Sequence, residues 1–68
     1  MPEGIFDPAE VELLVAAYDR VCRTLSLADE SDPLRTIVAM KVIYVARRGV
    51  RDPEDLYFQA LQLVVENF

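Results

Sequence analysis

LRTIVAMKVIYVARRGVRD, residues Leu34 to Asp52, carries apolar side chains on nearly every side of a helix. At the 100° per residue of an α-helix, Val38, Ala39, Val42, Val45 and Ala46 fill one broad face. Ile37, Met40 and Tyr44 form a second stripe almost opposite. A helix apolar on two sides needs neighbours on both. Two further helical segments flank it in a chain of 68 residues. Either those two enclose it, or the stripe of Ile37, Met40 and Tyr44 is left for a partner.

The boundaries of the three segments are written in a repeated dipeptide. Asp-Pro occurs at Asp7-Pro8, Asp32-Pro33 and Asp52-Pro53, and each occurrence precedes a run with helical periodicity. An aspartate at the cap accepts hydrogen bonds from the free N–H groups of the first turn, and proline at the first helical position lacks only an N–H that would go unpaired. The spacing predicts helices over about 8–26, 33–48 and 53–67. Glu10 completes a capping-box pattern with Asp7, and Phe6 is expected to staple against Val11. Helix 1 should bury Val11, Leu14, Tyr18, Val21 and Leu25, widened by Val15 and Cys22, and leave Glu10, Glu12, Asp19, Arg20 and Arg23 to water. SLADES reads as a polar, uncapped link, and Gly49 as the left-handed stop of helix 2. Leu56, Ala60, Leu61, Val64 and Phe68 form the expected inner face of helix 3, with Tyr57 or Phe58 at its edge. The fold class is all-α: a compact three-helix domain over 1–68, with helix 2 central.

A chain this short buries only about 60% of the surface its unfolded form exposes, so self-association is the expected source of added stability. A single cysteine excludes an internal disulfide, and the absence of histidine removes the commonest zinc ligand and general base. The opening MPEGIFDPAE has neither the basic nor the apolar region of a signal peptide, and no apolar run approaches the ~20 residues that span a bilayer. These features predict a soluble, cytoplasmic protein.

The net charge of −5 disfavours general affinity for nucleic acid or anionic membranes. Its distribution is uneven. Residues 1–32 hold eight acids and two arginines, 33–51 five bases and no acid, and 52–68 four acids and no base. A basic middle helix between two acidic ones explains the pattern, with Arg47 and Arg48 also favoured by the negative end of the helix dipole. An anion site formed by Arg47, Arg48 and Arg51 is the alternative.

Phe6-Asp7-Pro8, then Ala17-Tyr18-Asp19-Arg20-Val21-Cys22, then Val45 through Pro53 with Leu56, Ala60 and Leu61 resemble a group of small, uncharacterised alpha-proteobacterial proteins. That group has an opening FDP, an A-L-D-x-A-W-like segment and a later G-x-R-D-P. This chain has Cys22, Val50 and Tyr57 where the group has tryptophan, glutamate and arginine. The resemblance implies a bacterial protein with a compact three-helix domain, and it brings no activity with it.

Candidate chemistry is thin. Gly49-Val50-Arg51 between two helices invites a helix-turn-helix reading, but a recognition helix that opens Asp-Pro-Glu-Asp and has no Lys or Arg would leave base contacts to Gln59, Gln62 and Asn67. Glu10 and Glu12 face different ways on a helix. Asp29, Glu30 and Asp32 lack the glycine and terminal glutamate of a calcium loop. Ser31 lacks the Asp-Ser-Leu context of a phosphopantetheine carrier. Cys22 has no histidine to activate it and reads as core. Lys41 is expected to lay its stem over apolar surface with its amine at water or a neighbouring acid. No catalytic, cofactor or metal residues are assigned. The expected role is non-enzymatic: association with a second copy, as a homodimer, or with a protein partner. Ile37, Met40 and Tyr44 would make the contact, bordered by Lys41, Arg47 and Arg48. A DNA-binding regulator is the alternative.

Overall fold

The computed structural model describes residues 6–66. It contains three helices, α1 (Pro8–Thr24), α2 (Pro33–Arg47) and α3 (Pro53–Glu66), and no strand among the described residues. The expected burial of Phe68, the place of Asn67 and the reading of the opening residues 1–5 lie outside the described residues.

Each helix begins at its Asp-Pro pair. The Asp7 carboxylate accepts from the Glu10 N–H at 2.8 Å while Glu10 Oε1 accepts from the Asp7 N–H at 3.0 Å, a reciprocal capping box. Asp32 Oδ1 accepts from the Leu34 N–H at 2.9 Å, and Asp52 Oδ2 from the Asp55 N–H at 3.0 Å. Each such cap is worth about 1 kcal/mol.

Helices α1 and α2 end one or two residues earlier than the pattern predicts, and the link after α1 is capped after all. Ser26 stands in the left-handed region at φ 59. The Leu27 N–H bonds the Cys22 carbonyl at 2.9 Å and the Ser26 N–H bonds the Arg23 carbonyl at 3.1 Å. That is a Schellman closure with serine in the usual glycine position, and Leu27, only 8% exposed, folds under the turn. Gly49 makes the corresponding stop of α2 at φ +97, where its N–H bonds the Ala46 carbonyl at 2.9 Å.

All three helices pack against one another, α2 most extensively with α3. The core consists of Ala17, Val21 and Cys22 from α1, Val38, Val42, Val45 and Ala46 from α2, and Leu56, Tyr57, Ala60 and Val64 from α3, with Leu27 from the link. Each of the two outer helices contributes a small buried residue, Ala17 and Ala60. The buried stripe of α1 is therefore centred on Ala17 and Val21, with Leu13, Leu14, Tyr18 and Leu25 half-buried beside it. Val11 and Val15, expected inside, are exposed. Phe6 packs against the core beneath Arg51, whose guanidinium carbon lies 5.5 Å from the ring centre.

Polar clamps tie the bundle at its edges. Tyr57 is buried rather than peripheral, its hydroxyl 2.7 Å from Thr24 Oγ1 and its ring 4.0 Å beneath the Arg20 guanidinium. Arg20 in turn pairs with Glu54 at 2.8 Å. These contacts join α1 to α3.

Candidate functional site

The outward surface of α2 is the first place to look, because a helix apolar on both sides exposes whatever its two neighbours leave uncovered. Met40 is 62% exposed and Tyr44 53%. Ile37 differs from them: it is half-buried and packed against the core. On the helical wheel it lies nearer the buried side than Met40 does, at the edge of the outward surface.

The sequence reading missed the residue on the other flank. Ile43, one turn from Met40, is 39% exposed and faces α1. It lines a groove of about 290 Å³ with Val11, Leu14, Val15, Tyr18, Ala39 and Val42. Val11 and Val15 form the α1 wall. The one polar tip there, the Tyr18 hydroxyl, is held by Arg35 Nη1 at 3.3 Å. Met40 lies one helical turn from both Ile43 and Tyr44, so the exposed α2 side chains adjoin the groove that Val11 and Val15 line. The other exposed large apolar residues described, Phe58 and Val65, stand on α3.

The basic border divides into committed and free groups. Arg51 is committed: its Nε and Nη2 meet Glu10 Oε2 at 2.8 and 2.7 Å, and its Nη1 donates to the Ala46 and Val50 carbonyls, so of the alternative anion group Arg47 and Arg48 are the members without an ion pair among the described residues. Its side chain fastens the α2–α3 link to the start of α1. Arg47 and Lys41 form no ion pair among the described residues, and Lys41 is half-buried. Arg48 lies over Tyr44 at 5.9 Å from the ring centre and borders a hollow of about 200 Å³ toward Gln59, Gln62 and Glu66 of α3. The three ion pairs of the described residues join Arg20 to Glu54, Arg23 to Asp19 and Arg51 to Glu10, and none uses a cation within α2. Of the five bases in 33–51, Arg51 alone enters an ion pair among the described residues, from the link beyond α2.

Titration follows the same contacts. The Glu10 carboxyl is held below the ordinary glutamate range by the Asp7 N–H and by Arg51. Asp29 is lowered by the Ser31 N–H and hydroxyl, which donate to it at 2.9 and 2.8 Å. Both carboxylates are thus engaged locally, Glu10 in the cap of α1 and Asp29 in the turn before α2.

Cys22 is a free thiol, 1% exposed. A shallow hollow of about 400 Å³ near Asp19, Arg23 and Ala28 has Arg35 in its wall, but that guanidinium already donates to the Leu27 carbonyl at 3.1 and 2.8 Å. No buried side-chain polar atom lacks a partner, and no three potential metal ligands gather, among the described residues. No described helix is long and apolar enough to cross a membrane. The α3 surface exposes Glu54, Asp55, Gln62 and Glu66 and no cation.

No protein-family model, curated protein or solved structure matches the chain.

Proposed function

We propose that this protein is a non-enzymatic association module that works through the outer face of α2 and the α1–α2 groove beside it. The observation that carries the reading is the continuity of Met40, Ile43 and Tyr44 with Val11 and Val15, an apolar face on a domain too small to leave such surface idle. Methionine and tyrosine suit the role, one adaptable in shape and the other amphipathic. Lys41, Arg47 and Arg48 give the face a basic border, and Ile37 lies at its edge. A reducing, cytoplasmic setting agrees with one buried thiol and no disulfide.

DNA binding has less behind it. The helix that would enter the groove opens with Glu54 and Asp55, and Arg51, the base nearest its start, is already bound to Glu10.

Sedimentation of the wild-type chain from micromolar to millimolar concentration tests the proposal, with Tyr44→Asp and Phe58→Asp as variants. Self-association lost in Tyr44→Asp and kept in Phe58→Asp supports the α2 face. A wild type that stays monomeric throughout, or a Tyr44→Asp protein that associates as before, removes it in its self-associating form.

A further inference from the structure

We infer that the occupant of this face is a second copy of the same chain, docked antiparallel across a two-fold axis that passes close to Met40. The inference rests on the association reading above and adds the partner and its orientation. Its ground is the charge polarity of α2. Pro33, Met40 and Arg47 are seven residues apart, two turns each way, so they lie along one line of the helix surface with Met40 at the midpoint. Asp29, Glu30 and Asp32 precede the helix at its Pro33 end, Asp32 as the N-cap and Asp29 holding the Ser31 turn, with Glu30 exposed beside them. Arg47 and Arg48 close it at the other, both exposed and neither engaged in an ion pair among the described residues. The helix spans 15 residues, so acidic and basic ends stand about 21 Å apart with the apolar patch between them.

A two-fold through Met40 sets each copy's arginines over the other copy's Asp29 and Glu30, buries Met40 and Ile43 against their counterparts, and repeats the favourable contact twice. A parallel pairing would oppose arginine to arginine and carboxylate to carboxylate. Antiparallel α2 helices also oppose their dipoles. The rim charges therefore select the orientation, while the apolar centre supplies the attraction.

Charge exchange tests it. One variant carries R47E and R48E; the other carries D29N and E30K, the asparagine keeping an acceptor for the Ser31 turn. In a homodimer of either variant, the favourable rim contacts are lost or made repulsive. In the mixed dimer, both copies of the contact are attractive again. The dissociation constant, read by sedimentation velocity at low salt, should rise about tenfold for each variant alone, and the equimolar mixture should return to within about threefold of wild type. Circular dichroism checks that each variant is helical, and one that is not is replaced by the single changes R47E or E30K. If the wild type self-associates through Tyr44 but the mixture binds no better than its components, the antiparallel arrangement is wrong and the association surface stands. If the wild type is monomeric, the inference is overturned, and a protein of different sequence would have to occupy the face.

Discussion

Arg51 and Glu10, 41 positions apart in sequence, meet through two nitrogens at 2.8 and 2.7 Å from one carboxylate oxygen, while the other oxygen closes the cap of α1. One side chain thus serves the start of α1 and the link between α2 and α3. The folded state lowers the Glu10 pKa below its unfolded value, so its contribution is fully present above the ordinary glutamate range. That contribution is lost as pH falls through the folded value. Glu10→Gln should lower stability at neutral pH and flatten its decline below about pH 4, which denaturant midpoints measured from pH 7 to pH 2 would show. A decline as steep as wild type would rule the pair out as an acid-sensitive contact.

Ser26 pays for its left-handed backbone, since a Cβ there costs roughly 1–2 kcal/mol that glycine avoids, partly offset by glycine's greater freedom when unfolded. Ser26→Gly should stabilise the domain by about 0.5–1 kcal/mol, which for a chain of this size raises Tm by roughly 2–8 °C. An unchanged or lower Tm would mean the turn is held in some other conformation.

Tyr57 and Thr24 share one hydrogen bond across α1 and α3. Tyr57→Phe should cost about 0.5–1.5 kcal/mol, and a double-mutant cycle with Thr24→Val should leave little further loss when both hydroxyls are gone. Purely additive losses would place the two hydroxyls apart in solution.

Ile37 and Met40 were one stripe in the sequence and are two environments in the fold. A domain of this length has roughly 3–10 kcal/mol of stability in total. Ile37→Asp should cost on the order of 2–4 kcal/mol and leave much of the chain unfolded, whereas Met40→Asp should stay within about 0.5 kcal/mol and act on self-association alone. Thermal melts at low concentration separate the two, and equal destabilisation would contradict the burial described.

The starts of the helices were legible because an Asp-Pro pair states its own geometry: one residue supplies an acceptor, the next a fixed φ. The stop at Gly49 was legible for a similar reason. The stop at Ser26 was not, since nothing in SLADES marks a left-handed residue. The phase of α2 was harder still. With apolar residues all round, its wheel does not reveal whether Ile37 or Ile43 faces out; the positions of α1 and α3 decide that. Ala17 and Ala60 gave weak signals as core positions because a small side chain carries little hydrophobic weight, yet both are buried while Val11 and Val15 are exposed.

Cys22 gives the chain a built-in reporter. With Cys22 1% exposed beneath the hollow near Arg35 and no second thiol in the sequence, a thiol reagent should label it slowly in the closed bundle and faster in molecules whose core has opened. The pace of labelling then measures how often the bundle breathes, and it should slow as protein concentration rises if pairing holds α1 and α2 shut.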